Sequence, residues 1–475
     1  MARGFLPYDL DQQYLLPPSL KEWLPPEHLA FFVSDVVDSL DLSAIMREYR
    51  KDELRGRPGY HPALLTKLLI YGYAQGKVSS RKLERATYEE VPYRVLAGNS
   101  HPDHDSIASF RKRHLSALAG LFTQVLRLCQ QAGLVKLGHV ALDGSKLKAS
   151  ASKHKAMSYA RLCRSEEELR KEVERLLAEA ERKDQEEDRL YGKDKRGDEL
   201  PRELAFRESR LRKIREAKAA LEEEARRQAE EEARRQEERC EERKKKEAAR
   251  GRRFGGRPPQ IPDPAKATPQ PNKQKNFTDP ESCLMKDGAT GGFIQAYNAQ
   301  VAVDEERQVI VACTLSSQPS DTAGFLPLLA ETQTQLGRLP EKVSADTGFW
   351  SHDNLTQVEA RPLDCYIPPP RPVRDSLSEK MREKLRTEAG ADLYRRRKVV
   401  VEPVFGQIKG ARGFRQVSFR GIDAVREEWR LICLTHNLLK LFRAGVTPKP
   451  TQGGKSRPNT RATSLLSLSL ALVSP

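Results

Sequence analysis

The chain has 475 residues, a net charge of +16 and a pI of about 9.4. That length exceeds what one hydrophobic core usually organises, so two or three domains are expected. The basic excess favours a polyanionic partner, nucleic acid before a membrane surface. No apolar run reaches the roughly 20 residues that span a bilayer, and the segment from Met1 to Pro7 lacks the apolar centre of a secretory signal.

Seven scattered cysteines contain no Cys-x-x-Cys pair and indicate neither a zinc site nor a disulfide framework. A reduced, cytoplasmic protein is expected.

Residues 1–135 read as a helical domain. Leu64, Leu65, Leu68, Leu69 and Tyr71 form an apolar segment, and a polar break at 76–80 precedes a second helix from Arg81. A third is expected to start near Asp105 and Ser106, good N-cap residues, and to run through Phe110, Leu115, Leu118 and Leu121. Arg111, Lys112 and Arg113 put a cationic band on it. Short helices with such bands suit helix-turn-helix packing in a DNA groove. The alternative is an ordinary helical dimerisation domain with a solvated basic face. His101-x-x-His104, without nearby cysteines, reads as loop rather than ligand.

Residues 158–262 are of another kind. Leu162, Leu169, Val173, Leu176 and Ala180 fall seven, four, three and four residues apart, and Leu204, Leu211, Ile214 and Leu221 repeat the pattern. These short heptad seams predict a charged, coiled-coil-like antiparallel hairpin, divided by Gly192, Gly197 and Pro201. Past Leu221 the seam gives way to a Glu/Arg repeat, either a solvated helix or a disordered stretch. A Pro-rich linker closes the insertion.

Strand signals follow. Phe293–Val303 alternates, Asp304–Arg307 offers a turn, and Val309–Leu315 returns, which predicts a β-hairpin. Asp321 is placed to cap a helix carrying Phe325, Leu329 and Leu336. Val343–Asp346 and Cys365–Ile367 are further strands, and helices are expected around Val401–Lys409 and Ala424–Phe442. Residues 446–475 read as a disordered tail.

Three acids stand out. Asp143 ends the apolar run begun at His139, Asp346 ends the run from Val343, and Glu402 opens an amphipathic helix. Without 158–262 the order is strand, strand, strand, helix, strand, helix, strand, helix. That order predicts an α+β (or α/β) fold, a mixed sheet flanked by helices of the ribonuclease-H type, built from 136–157 and 263–445. In that architecture the first strand, the fourth strand and the last helix bring their acids together. Carboxylates so gathered can hold two divalent metals for phosphodiester chemistry. Each acid also has a plainer reading: a turn-forming Asp-Gly for Asp143, a strand-end cap for Asp346, a first-turn residue for Glu402. Pro403 disfavours helical angles at Glu402, which would make it the cap. Asp287 and Asp321 read as turn and cap residues, Trp350 as packing or a base-stacking face, and His436 as a core or interface histidine.

The motifs Asp143-Gly-Ser-Lys146, Asn276-Phe-Thr-Asp-Pro-Glu-Ser282, Gly292-Phe-Ile-Gln-Ala-Tyr-Asn-Ala-Gln300, Ala345-Asp-Thr-Gly-Phe-Trp-Ser351 and Val401-Glu-Pro-Val-Phe-Gly-Gln-Ile-Lys409 together resemble a DDE transposase of bacterial insertion sequences. The branch they are similar to is typed by the element numbered eleven-eighty-two. The resemblance covers nearly everything except 158–262 and the tail. It implies that Asp143, Asp346 and Glu402 are catalytic metal ligands, with Mg²⁺ as the cofactor and Mn²⁺ as a substitute. It also implies action on double-stranded DNA, at terminal inverted repeats and in target DNA, by a nucleoid-associated homodimer with no membrane role.

Related transposases carry a Tyr-Arg-Glu-Lys signature with Tyr and Arg seven and four residues before the Glu. Glu402 and Lys409 fit it, whereas Tyr394 and Arg397 lie one step further away. Lys146, Lys148, Arg397 and Lys409 are the expected phosphate contacts, with Arg111, Lys112 and Arg113 on the DNA. The rival readings are an inactive, domesticated DNA-binding descendant and a coiled-coil scaffold.

Overall fold

A computed structural model describes residues 19–49, 59–152, 155–191, 202–252, 255, 260–288, 291–359, 361–370 and 375–446. The expected break at 192–201 and the tail from 447 lie outside these residues. The chain divides into two compact units, Met1–Gly133 with Asn437–Pro475, and Leu134–His436.

The first unit contains α1 (Leu29–Ser39), α2 (Ser43–Tyr49), α3 (Pro62–Ala74), α4 (Ser80–Glu89), α5 (Val91–Leu96), α6 (His104–Arg113) and α7 (Leu115–Gln131). Its core is built from residues such as Leu68, Tyr73, Leu83, Phe110, Leu118 and Phe122. The helix expected from Asp105 through Leu121 is two helices. Asp103 caps α6, its carboxylate accepting from Ser106 N at 2.8 Å. The break falls at His114, whose buried ring meets Glu48 Oε2 at 3.1 Å and lies 4.8 Å from Phe110. Burying that ring turns the chain where Arg111, Lys112 and Arg113 face the negative end of the α6 dipole. His101 and His104 bond to Thr87 and Glu84 on α4.

The second unit holds a six-stranded mixed sheet. Its strands are β1 (His139–Lys148), β4 (Cys283–Lys286), β5 (Phe293–Asp304), β6 (Ile310–Ser316), β7 (Lys342–Ser344) and β8 (Asp364–Tyr366). β2 (Ala156–Ser158) and β3 (Gln274–Asn276) form a separate antiparallel pair. β1 lies in the middle, antiparallel to β5 with Asp143 opposite Val301, and parallel to β7 with Val140 opposite Val343. β8 continues in parallel beyond β7. On its far edge β5 pairs first with β4 and then with β6. The β5–β6 hairpin is as the alternation predicts; β4 has no counterpart in the sequence reading.

The remaining helices are α8 (Tyr159–Tyr191), α9 (Arg202–Arg250), α10 (Phe325–Leu336), α11 (His352–Glu359), α12 (Ser376–Arg386), α13 (Glu388–Phe405) and α14 (Ile422–Arg443). Leu162, Leu169 and Val173 of α8 pack on Leu211, Ile214 and Leu221 of α9. Glu166 pairs with Arg215 and Lys218, and Glu172 with Arg207. As α8 advances its partners on α9 recede, so the two helices are antiparallel. The Glu/Arg repeat beyond Leu221 is a continuous helix to Arg250.

Nearly every residue of β5 is buried, so helices cover both of its faces. Side chains alternate along a strand. Asp143 and Ser145 of β1 meet α13 and the turn after it, whereas Gly144 meets Asp321, just before α10. α13 and the entry to α10 therefore lie on opposite faces.

Candidate active site

The site lies where β7 stops and β1 runs on. β7 pairs with His139–Ala141 only, so Asp143 sits beside the loop that leaves β7, and that loop carries Asp346. Asp143 does not end its strand; it stands mid-strand in a ten-residue β1, which rules out the turn-forming reading. Asp346 follows β7 by two residues and caps a short turn, accepting from Gly348 N at 3.0 Å.

Asp143 Oδ1 accepts from Gly144 N at 2.8 Å, and its Oδ2 is 3.4 Å from Arg397 Nη1. Burial pushes its carboxyl up; Arg397 pulls it down, and Asp346 and Asp321 push it up again, to about 6. Asp346 is likewise raised, by burial first and then by Asp321. The two acids thus share one field, with Arg397 as their common cation.

Asp321 is the acid whose role sequence reasoning missed. Its side chain makes no capping bond. Oδ1 accepts instead from Asn298 Nδ2 at 2.6 Å and Gln300 Nε2 at 3.1 Å, and lies 3.4 Å from Lys146 Nζ. Two glycines make room for it. A Cβ on Gly144 would stand 2.4 Å from Asp321 Oδ1. One on Gly348 would stand 3.1 Å from Asp321 Oδ2 and 3.0 Å from Asp346 Oδ1. The glycines of Asp143-Gly and Asp-Thr-Gly348 leave the space that the Asp321 carboxylate occupies.

Glu402 is exposed, and the structure does not bring it into the pair. It lies five residues past Arg397, about 140° further round the helix. α13 runs through Pro403 to Phe405, so Glu402 is interior rather than a cap. Proline removes the N–H that would serve Val399 O; Gln308 Nε2 donates there instead, at 2.9 Å. A π-helical turn, Gly406–Ala411, then breaks the α-helical phase between Glu402 and Lys409, so their seven-residue spacing does not place them on one face. Lys409 Nζ donates to Ser145 Oγ at 2.5 Å and Lys146 O at 2.7 Å, fastening that turn to β1. Burial lowers its pKa.

Of the other expected contacts, Lys146 donates to Pro319 O at 2.7 Å and Arg111 to Val78 O at 2.6 Å, while Lys148, Lys112 and Arg113 are exposed. Asp287 closes the β4–β5 turn through its backbone, and His436 is buried on Gln308 O. Half-buried Trp350 lies edge-on to His352.

Among the described residues no group of three or more His, Cys, Asp or Glu is disposed to hold a metal ion. Asp143 and Asp346, which act on each other electrostatically, offer hard carboxylate oxygens. They fit Mg²⁺, which binds through one or two carboxylates with water and substrate phosphate completing its shell. No described helix is long and apolar enough to cross a membrane.

In this mixed α+β fold Asp143, mid-strand in β1, and Asp346, in the loop after β7, stand where the shorter of two parallel strands stops. Residues 18–113 match the family described as Transposase domain (DUF772), and residues 370–442 match the family described as Transposase DDE domain. The two matches support a DDE transposase family, which implies DNA binding and an enzyme of the polynucleotidyl transferase or nuclease type. DDE transposase domains generally use divalent metals. The second match contains Arg397, Glu402 and Lys409. Comparison with curated proteins and with solved structures returned no match.

Proposed function

We propose that this chain is a DNA transposase of the branch typed by the insertion element numbered eleven-eighty-two, with a ribonuclease-H-like core. It cuts at terminal inverted repeats and transfers the freed 3′-hydroxyl into target DNA. The observation that carries this reading is the Asp143–Asp346 pair, mid-strand in β1 and just past the end of β7, in a sheet ordered β6-β5-β1-β7-β8. That order supports the ribonuclease-H-like architecture.

Asp143 and Asp346 would hold the metal, and Glu402 would have to move in from α13 to supply a third carboxylate. Bound Mg²⁺ would polarise the scissile phosphate and lower the pKa of the attacking water. Arg397, paired with Asp143 in the absence of metal, turns to substrate phosphate when the acids are engaged. Lys148 contacts the DNA backbone. The helical unit, with Lys112 and Arg113 exposed, recognises the element's ends. Two ends are handled together, so the protein acts as a dimer on DNA.

The second reading, a DNA-binding descendant that does not cut, is favoured by one observation: Glu402 stands apart from the acid pair. A supercoiled-plasmid assay with Mg²⁺ and cognate ends separates the two. Nicking and strand transfer that disappear in Asp143→Asn support the transposase; end binding without nicking in the unaltered protein supports its rival.

A further inference from the structure

Past the acids, β1 leads into a groove of about 610 Å³. Three cations line it, Lys148, Lys155 and Arg420, and none of its lining residues is acidic. One wall is Phe293, 59% exposed at the start of β5. Most of the rest are hydroxyl and amide side chains, such as Ser150, Thr278 and Gln416.

The groove is braced. Lys148 N donates to Arg415 O at 3.0 Å and Val417 N to Lys148 O at 2.9 Å, so the segment 415–417 runs as an added edge beside β1. Arg420 Nε donates to Ser150 O at 2.9 Å, and Gln416 Nε2 to Ala149 O at 3.2 Å. Arg415 Nε donates to Lys409 O at 3.2 Å, and Lys409 is fastened to Ser145. Lys148 of the groove and Asp143 stand on the same strand.

Cations without acids select phosphodiester oxygens. An exposed aromatic wall offers stacking, which an unpaired base accepts without first being unstacked from a duplex. Lys148 follows Asp143 by five residues on β1, about 17 Å of strand, its side chain on the opposite face. We propose that this groove binds single-stranded DNA. The proposal rests on the reading of the chain as a DNA-cutting enzyme, and it assigns the groove to the unpaired strand beside the cut, with Phe293 as the stacking face and Lys148, Lys155 and Arg420 on the backbone.

The test titrates the full chain with a labelled oligothymidylate and with a blunt duplex of equal length, over a range of salt. Phe293 and Lys155 are exposed, so Phe293→Ala and Lys155→Ala leave the core intact, which circular dichroism checks. Phe293→Ala is expected to weaken oligothymidylate binding between about 5- and 150-fold with no change in salt dependence. Lys155→Ala is expected to lower the salt slope by about 0.7. Duplex binding stays as before in both. Unchanged single-strand affinity and slope in both variants overturn the proposal. So does an equal loss for duplex and single strand, which would make the groove a duplex contact. Asp143→Asn, tested alongside, abolishes nicking but keeps oligothymidylate binding, so failure of the groove and failure of the cutting reading give different results.

Discussion

Arg397 Nη1 stands 3.4 Å from Asp143 Oδ2, both side chains largely buried, and this ion pair ties α13 to the middle of β1. The guanidinium opposes the burial that pushes the carboxyl up to about 6. Removing it with Arg397→Gln moves the Asp143 titration upward. A midpoint in the metal-free protein, followed by NMR of labelled aspartate, checks this; a lower or unmoved midpoint contradicts it.

Stability carries the same signature. Asp143 titrates at about 6 when folded, against an ordinary 3.8. Between those values the native state binds more protons than the unfolded chain, so its contribution falls as pH rises and then levels off. The whole effect is on the order of 3 kcal/mol. Denaturant titrations of metal-free wild type and Asp143→Asn should diverge between about pH 4 and 6 in that direction. A difference independent of pH would remove Asp143 from the account. With Mg²⁺ present, apparent metal affinity weakens below about pH 6, because protons compete for the ligand.

Glu402 is tested apart from the aspartates. If it supplies the third carboxylate, Glu402→Gln lowers plasmid nicking by at least about 100-fold while gel shifts with element ends are unchanged. Nicking at the wild-type rate would remove Glu402 from the site and leave the two aspartates as its carboxylates.

Asp321 holds a polar cluster rather than a helix end. Asp321→Ala removes the carboxylate acceptor of Asn298 and Gln300 and leaves them only Ser320 O at 3.3 Å and Asp321 O at 3.1 Å, at a cost of about 1–3 kcal/mol, or a fall in Tm of roughly 2–10 °C. It also lowers the pKa of Asp346, since Asp321 is the charge that raises it most. Gly144→Ala, whose Cβ would meet Asp321 Oδ1 at 2.4 Å, should reproduce the destabilisation without removing a carboxylate. Calorimetry showing no change in either variant would sink this assignment.

Ile214 is almost wholly buried between α8 and α9, in a core of few residues. Ile214→Asp places an unpaired charge there and should open the hairpin to protease, while near-ultraviolet signals from the buried Trp429 persist.

Period-2 alternation made β5 and β6 legible, and apolar runs marked β1 and β7, because each strand packs against the core. β4 was not legible: Cys283–Lys286 is four residues long and its pattern is set by its neighbour β5 rather than by its own alternation. The acids at 143 and 346 stood out through the agreement of their positions with the element order, since Asp-Gly and Ala-Asp dipeptides are common and mean little alone. Asp321 did not, because a turn residue and a buried acceptor look alike until Asn298, Gln300 and Gly144 are brought together from other strands. Glu402 and Lys409 are seven residues apart, which in an unbroken α-helix would put them on one face, but a π-helical turn lies between them and a linear count cannot register that change of pitch.

The insertion leaves and re-enters the core beside a small ladder, Ala156 opposite Asn276 and Ser158 opposite Gln274. Its two roots are therefore neighbours, whatever length of chain separates them. Such a junction behaves like a graft: the long arm could be trimmed, exchanged or lengthened with only a slow rise in closure entropy, while the strands holding the acids keep their register. An appendage so attached can diverge freely in reach and charge, and the chemistry behind it need not follow.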